Sequence, residues 1–311
     1  MKRMTENKII LIVAKTRLEE LTVRFNTISQ AKFYIEHLGA DFSDYENEHH
    51  TYQLARRETE RQLNALGRLQ VLGRDFLPNF IFGKEETVVV LGRDGLVANS
   101  LKYLDAQPVV GINPDPERWE GTLLPFNVKD TASIIVDLFE KRRSCREITM
   151  AQVTLNNGQK LYGVNDLFIG PKTHTSLRYQ IKLGEKEEHQ SSSGIIVSTG
   201  LGSTGWLRSI LAGANGICAS LGKPLDVKKI NNFNWDSDYL LFTVREPWPS
   251  KILQGNLVFG KITGDNPLKL ISQMPERGVI FSDGIEHDFL EFNSGAQATV
   301  SVAGKKGRLV V

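Results

Sequence analysis

The chain has 311 residues, of which 41% are hydrophobic and 24% are charged, a composition typical of a globular protein long enough for two domains. Its 38 basic and 36 acidic residues give a formal charge of +2, which is too balanced to indicate binding to nucleic acid or to a membrane surface. No apolar run approaches the roughly 18 residues of a membrane span, and we predict a cytoplasmic protein.

The first 80 residues predict the start of an α/β domain. Residues 8–14 (KIILIVA) form an apolar run typical of a buried strand. Apolar residues then recur every three or four positions from Leu18 to Leu38, which predicts one helix ending at Gly39. From Asp41 to about Leu72 the chain is densely charged, and we expect a further helix with a solvated face. His49 and His50 are adjacent and cannot share one helix face, so no metal site is predicted there.

A β-α-β unit is predicted next. Residues 87–92 (TVVVLG) read as a strand buried on both faces, and 108–113 (PVVGIN) as the strand that follows the intervening helix. Between them lies the turn Gly92-Arg93-Asp94-Gly95. In parallel sheets, ligands bind at the carboxyl ends of the strands, where this turn falls.

Beyond about Ile148 the pattern changes to short strands. Asn156-Asn157-Gly158 between two strand-like runs is a hairpin signal, and one helix is expected near residues 204–222. We therefore predict an α/β domain with a parallel sheet at 1–144 and a β-rich domain at 145–311. The two cysteines, Cys145 and Cys218, have no metal-ligand spacing and are expected to be buried, reduced thiols.

Three segments carry candidate chemistry. In the turn at 92–95, glycines allow backbone N–H groups to approach a phosphate, and Asp94 is able to act as a base or to help hold magnesium. The segment 198–206 (STGLGSTGW) has the small residues and hydroxyls that wrap a phosphate or a sugar. Asn165-Asp166 offers an amide and a carboxylate to a ribose or a base. Each segment taken alone also fits an ordinary turn.

Taken in this order, the three segments resemble the NAD kinases. That family has a Gly-Gly-Asp-Gly loop, then an Asn-Glu pair, then a strand leading to a Ser-Thr-rich loop. The residues at 109–126, 241–252 and 290–302 are similar to the mitochondrial-type branch. The resemblance covers most of residues 86–311. It implies that residues 1–144 form an α/β nucleotide-binding domain and residues 145–311 a β-rich NAD-binding domain, whose tail is able to return to the first domain. It also implies an active site in the cleft between the two domains.

The resemblance also implies roles for individual residues. Asp94 corresponds to the catalytic aspartate, which acts as the base on the adenosine ribose 2'-hydroxyl of NAD. Asp283 matches a late Asp-Gly turn of the family, whose role in the site we rank below that of the other residues. The resemblance further implies one set of residues that binds ATP with Mg2+ and another set that binds the substrate, NAD. They are Gly92, Arg93 and Gly95 at the triphosphate, Asn113 facing the same cleft, the pair Asn165 and Asp166 at the dinucleotide, and Ser203, Thr204, Gly205 and Trp206 along the substrate site.

Three positions depart from the family pattern. Arg93 replaces a glycine, where its side chain either crowds the nucleotide or binds its phosphates. Leu96 removes a hydroxyl that would bind phosphate, and Ser193 stands where many members have an aspartate. None of these changes removes Asp94, so we expect an altered but active phosphotransferase site.

Two alternatives remain at the level of sequence. One is a kinase that phosphorylates another hydroxyl, on a sugar, a nucleoside or a lipid headgroup. The other is a regulator that binds NAD or NADP without turnover. In each case the expected partners are small-molecule nucleotides, with neither nucleic acid nor membrane, and the resemblance implies a homo-oligomer, most simply a dimer.

Overall fold

The computed structural model describes residues 4–227 and 233–311 and divides into two compact units. The first consists of the chain up to Arg146 together with Arg308–Val311. The second consists of Glu147–Gly307. The two units differ in secondary structure.

A parallel sheet forms the centre of the first unit. Its strands β1 (Lys8–Val13), β2 (Arg68–Gly73), β3 (Thr87–Leu91) and β4 (Pro108–Asn113) lie in the order β2-β1-β3-β4. Nearly every residue of β1, β3 and β4 is buried, as expected for parallel strands covered on both faces. The short strand β5 (Phe126–Asn127) pairs with one end of β4, and Arg308 and Leu309 pair in parallel with its other end.

Five helices of the described residues cover this sheet or connect its strands, namely α1 (Arg17–Phe25), α2 (Ile28–His37), α3 (Ser43–Leu66), α4 (Asp94–Leu101) and α5 (Thr131–Phe139). The prediction of one helix from Leu18 to Leu38 is wrong, because α1 and α2 are separate. Asn26 adopts a left-handed φ of 65° that ends α1, and the Thr27 hydroxyl accepts the Gln30 N–H to begin α2. An apolar stripe continues through the break, which is why periodicity alone did not detect it.

The charged segment also differs from its prediction. The helix expected to reach about Leu72 ends at Leu66, and residues 68–73 form β2. This strand pairs in parallel with β1 over its whole length, from Arg68 opposite Lys8 to Gly73 opposite Val13. Pairing with a distant strand therefore overrides the local helical pattern.

The second unit is built mainly from antiparallel strands and one long helix, α6 (Trp206–Ser220). Its strands are β6 (Cys145–Leu155), β7 (Lys160–Gly163), β8 (Asp166–Pro171), β9 (Leu177–Leu183), β10 (Lys186–Ser192), β11 (Gly194–Ser198), β12 (Tyr239–Arg245), β13 (Phe259–Thr263), β14 (Leu268–Ser272), β15 (Gly278–Ser282), β16 (Ile285–Glu291) and β17 (Gln297–Val310). The first residues of β6 and the last of β17 belong to the first unit.

These strands form two layers with a common apolar core. One layer has the order β10-β9-β14-β17 with β6 and β7 beside β17, and the other has the order β13-β12-β11-β8-β15-β16. Leu167 and Ile169 of β8 point into the core that both layers share. Because side chains alternate along a strand, Asp166 and Phe168 face the opposite side, where α6 packs. That outer face carries the candidate residues of the second unit.

The structure confirms the predicted fold class, with an N-terminal α/β domain containing a parallel sheet and a C-terminal β-rich domain. It also confirms the hairpin at Asn156-Asn157-Gly158, where Gly158 has a φ of 87°.

Cys145 and Cys218 are free and partly exposed rather than buried, which corrects the prediction of their burial. Across residues 4–227 and 233–311, no helix combines the length and the apolar character that crossing a bilayer requires.

Candidate active site

The turn Gly92-Arg93-Asp94-Gly95 follows the carboxyl end of β3, and α4 begins at Asp94. Gly92 is buried, and a Cβ at this position would lie 2.8 Å from the Leu96 Cδ2 atom. Leu96, 6% exposed, therefore fills the space beneath the loop where a hydroxyl was expected. A Cβ on Gly95 would meet no atom within 4 Å, so there is open space beside the first turn of α4.

The carboxylate of Asp94 is half-buried and held by one backbone hydrogen bond. Its Oδ1 atom accepts the Leu123 N–H at 2.7 Å. Leu123 in turn lies against β4 so closely that a Cβ on Gly111 would be 2.1 Å from the Leu123 carbonyl oxygen. Glycine at position 111 is thus required for the approach that brings Leu123 to Asp94. The second carboxylate oxygen of Asp94 accepts no hydrogen bond from the described part of the chain.

Asn113, at the end of β4, is 4% exposed and shapes the same segment. Its Nδ2 donates to the Trp119 carbonyl at 2.9 Å, and its Oδ1 accepts the Asp115 N–H at 3.0 Å. The structure therefore brings Asn113 and Asp94 together through residues 114–123. The polar atoms of Asn113 are engaged within the protein in this arrangement.

Arg93 is fixed by two contacts that the sequence did not suggest. Its Nη2 donates to Glu48 Oε1 at 2.7 Å, and its guanidinium lies 4.2 Å from the centre of the Trp119 ring. Glu48, on α3, is buried and also accepts a hydrogen bond from Arg17. A guanidinium has five N–H donors, so Arg93 keeps donors for a ligand while Glu48 and Trp119 hold it in place.

Further charges surround Glu48. Asp44, also on α3, binds Arg118 and Arg17 at 2.7 Å each. Hydrogen bonds from these two arginines lower the pKa of Asp44 to about 2. The three positive charges of Arg17, Arg93 and Arg118 are balanced by three carboxylates. These are Asp44, Glu48 and Asp115, the last of which lies 3.5 Å from Arg118.

In the second unit, the carboxylate of Asp283 organises the segment that contains Asn165 and Asp166. It accepts the backbone N–H groups of Val164 at 3.0 Å, Asn165 at 2.6 Å and Asp166 at 3.3 Å. Asp283 itself has a left-handed φ of 54°. The Asp-Gly turn at Asp283 is a visible signal in the sequence, but the family pattern alone does not indicate this structural role.

The Asn165-Asp166 pair contacts the Gly-rich segment through the backbone. The Asn165 carbonyl accepts the Thr199 N–H at 2.9 Å, and a Cβ on Gly202 would be 2.0 Å from that carbonyl oxygen. The Asp166 side chain is 9% exposed. Burial, together with repulsion from Asp283, raises the pKa of Asp166 to about 7. This carboxyl group therefore titrates near neutrality.

The remaining candidates lie just before and at the start of α6. Ser203 is buried, and its hydroxyl donates to the Gly200 carbonyl at 2.7 Å, so it stabilises the loop. Thr204 and Gly205 are exposed, and Trp206 is the first residue of α6. Ser203 and Thr204 belong to a single 3-10 turn, Gly202–Thr204.

Trp206 lines a cavity of about 680 Å³ within the second unit. Its ring stacks on Phe168, with centroids 5.7 Å apart and planes at 9°. Phe281 and Phe289 extend the aromatic wall, and hydroxyl and charged side chains, including Ser193, complete the lining. A cavity of this size and lining is suited to an aromatic ring with polar substituents. Sequence reasoning identified Trp206 but not the two phenylalanines on β15 and β16.

The structure therefore assembles two groups of predicted residues. In the first unit, Gly92, Arg93, Asp94 and Gly95 meet the segment shaped by Asn113. In the second unit, Asn165 and Asp166 meet the loop of Ser203, and Trp206 lines the cavity. Among the residues that the structure describes, no group of three or more histidine, cysteine, aspartate or glutamate side chains is arranged to hold a metal ion.

Comparisons with known proteins identify this fold. No protein-family model matches the chain, and no curated protein sequence matches it. Among solved structures, yeast NADH kinase complexed with NADH superposes with a TM-score of 0.58 at 14% identity, covering 99% of this chain and 84% of that one. An NAD kinase from Archaeoglobus fulgidus in complex with ATP gives a TM-score of 0.53 at 14% identity, covering 97% and 92%.

These likenesses confirm the two-domain NAD kinase fold that the three motifs predicted. At 14% identity they concern the fold, and the activity has to be argued from the site. The closer similarity to the mitochondrial-type branch stays a prediction.

The raised pKa of Asp166 predicts a pH-dependent effect on stability. An unfolded aspartate ionises near pH 3.9, whereas folded Asp166 keeps its proton until about pH 7, so the wild type loses stability as pH rises between these values. Replacing Asp166 with Asn removes this penalty. We expect the variant's advantage in free energy of unfolding to be near zero at pH 4 and to reach about 2–4 kcal/mol at pH 8, as measured by urea denaturation.

Asp265→Asn is the matched control, because Asp265 is exposed in the turn between β13 and β14. The difference in free energy of unfolding between Asp265→Asn and the wild type should be the same at pH 4 and at pH 8. An Asp166→Asn advantage that is equally flat with pH would show that Asp166 titrates normally.

Proposed function

We propose that this protein phosphorylates the adenosine ribose 2'-hydroxyl of a nicotinamide adenine dinucleotide, using ATP and Mg2+. The observation that carries the proposal is the position and exposure of the Asp94 carboxylate. Asp94 lies in the turn after a buried parallel strand and begins α4, one of its carboxylate oxygens is fixed by the Leu123 N–H, and the residue is half-exposed. A carboxylate oriented in this way is suited to accept the proton of an attacking hydroxyl.

The residues beside Asp94 fit the triphosphate of ATP. Arg93 has donors left after binding Glu48, and the open space at Gly95 adjoins the N–H groups of the first turn of α4. Bound with the nucleotide, Mg2+ would offset the phosphate charge. The second oxygen of Asp94 accepts no hydrogen bond from the described residues and is left for the proton of the acceptor hydroxyl. The archaeal NAD kinase of the same fold was solved with ATP.

The second unit offers groups that fit the dinucleotide. Asp166 has a pKa near 7, so its carboxyl group can accept a hydrogen bond from a ribose hydroxyl when ionised or donate one when protonated. Asn165 and the exposed Thr204 add an amide and a hydroxyl. The cavity beside Trp206 accommodates an aromatic ring. The yeast kinase of the same fold was solved with NADH.

The proposed reaction is one phosphoryl transfer. The 2'-oxygen of the acceptor forms a bond to the γ-phosphorus of ATP while the bond from that phosphorus to the β–γ bridging oxygen breaks, which releases ADP. Asp94 takes the hydroxyl proton, and Arg93 stabilises the charge on the transferred group. Leu123 keeps the Asp94 carboxylate in place throughout by donating its N–H.

A second candidate function is a regulator that binds nucleotides without turnover. The specific observation in its favour is the burial of Leu96 beneath the loop, because an apolar side chain there cannot bind phosphate. We rank it second because Asp94 and its hydrogen bond are intact. A cytoplasmic location and a homodimeric assembly complete the proposal and come from the sequence analysis.

Asp94→Asn provides the direct test. Asn keeps an oxygen for the Leu123 N–H but cannot take a proton, so turnover should fall by about 10²-fold or more while the fold is retained. NADP or NADPH formation with ATP and Mg2+ is measured beside the circular dichroism spectrum and the thermal midpoint. Wild-type-like turnover in the variant would contradict the assignment of the base. Dinucleotide binding without turnover in the parent protein would favour the regulator.

Arg93→Gly tests the donor site. If Arg93 binds phosphate, KM for ATP should rise by about 10-fold, because a charge-assisted hydrogen bond is lost, and KM for the dinucleotide should not change. Glu48→Gln is the companion variant. It keeps a side-chain oxygen but loses the charge that positions Arg93, so it should raise the same KM by a smaller factor. Glu46→Gln, on the exposed face of α3, is the matched control. An unchanged KM in Arg93→Gly removes Arg93 from the phosphate site.

A further inference from the structure

The cavity beside Trp206 has an uneven distribution of charge. Its lining includes two permanent cations, Lys172 and Arg245, and a single carboxylate, that of Glu286, with His174 as a further titratable group. Arg245 also lies 3.6 Å from Glu246, but Glu246 is outside the lining and its side chain is 66% exposed, so water screens it. The lining proper therefore has one uncompensated positive charge.

The two cations lie over the aromatic walls. The guanidinium of Arg245 is 5.4 Å from the centre of the Trp206 ring, and the ammonium of Lys172 is 4.8 Å from the centre of the Phe289 ring. Aromatic faces are negative and normally attract cations, so an empty aromatic wall would favour a cationic ligand ring. Here the protein's own cations already occupy that interaction. A second cation entering the cavity would be repelled by them.

The position of the cavity indicates which end of a dinucleotide reaches it. Asp166 begins β8, and the cavity is lined by Phe168 and by residues 171–172 at the other end of the same strand. Since a strand rises about 3.3 Å per residue, these points lie roughly 7 Å and 20 Å from Asp166. With the adenosine ribose at Asp166, the adenine ring reaches only the nearer of these points, whereas the nicotinamide ring, which the pyrophosphate separates from that ribose, reaches the farther part of the cavity.

The oxidised nicotinamide ring carries a positive charge, whereas the reduced ring is neutral. A sphere of 680 Å³ is about 11 Å across, so a ring at its centre lies roughly 6 Å from the lining. At this distance, one unit charge on the lining changes the affinity for a singly charged ring by roughly 3-fold in water and by roughly 100-fold near a protein surface. The open cavity places the expected effect near the lower end of that range.

We propose that this cavity makes the reduced dinucleotide, NADH, the preferred acceptor, with Arg245 and Lys172 as the residues that determine this preference. The inference rests on the proposed function, because it assigns the redox form of the same acceptor. It adds an electrostatic selection by the ring charge to the recognition of the ribose by Asp166.

The experiment compares kcat/KM for NADH and for NAD with ATP and Mg2+ under otherwise identical conditions. We expect the ratio to favour NADH by about 3- to 10-fold and to fall toward 1 as salt screens the cavity. Arg245→Gln and Lys172→Gln should each move the ratio toward NAD, and the double variant should move it further. Lys186→Gln, an exposed lysine on β10 outside the cavity, is the charge-matched control and should leave the ratio unchanged.

Binding provides a readout that does not depend on catalysis. Calorimetric titration of the Asp94→Asn protein should show tighter binding of NADH than of NAD. Adding Arg245→Gln to this protein should move the ratio of the two affinities toward NAD. If the wild type phosphorylates both forms but prefers NAD, or if the substitutions leave the ratio unchanged, the inference is overturned and the proposed function stands. If neither form is phosphorylated and neither binds, the proposed function itself fails.

Discussion

The candidate site of the second unit depends on one carboxylate. Asp283 accepts three consecutive backbone N–H groups, from Val164 to Asp166, and so fixes the point where β8 begins. Two consequences follow from this interaction. The Asn165 carbonyl is presented to Thr199 and Gly202, which orders the Gly-rich loop, and the charge of Asp283 helps to raise the pKa of Asp166. The same side chain thus shapes the site and sets its electrostatics.

The first unit uses the reverse arrangement, in which a backbone N–H fixes the side chain of the proposed base. The Leu123 N–H holds Asp94, and Asn113 and Gly111 hold the segment that contains Leu123. Arg93 is fixed separately, by Glu48 from α3 and by the Trp119 ring. Without these contacts, a side chain as long as arginine would sample many conformations beside the proposed nucleotide site. Its two anchors reduce the entropy that ordering it would cost on binding.

Sequence patterns predicted much of this architecture, because strand burial and the order of three short motifs are local properties. The strands β3 and β4, the turn at 92–95 and the β-rich second half were all predicted. The break at Asn26 and the strand β2 were not, because a single left-handed residue and pairing with β1 are not visible in periodicity. Glu48 and Phe289 were missed for a similar reason. Each acts through a contact with a residue distant in sequence, and nothing in its own segment marks it.

The proposed function requires transfer of phosphate to one particular hydroxyl, and the ³¹P NMR spectrum of the product formed from ATP and the dinucleotide identifies that hydroxyl. We expect one new monophosphate resonance, coupled to the 2'-proton of the adenosine ribose, with the pyrophosphate signals of the dinucleotide retained. A phosphate on another hydroxyl, or ADP formation without any phosphorylated dinucleotide, would contradict it.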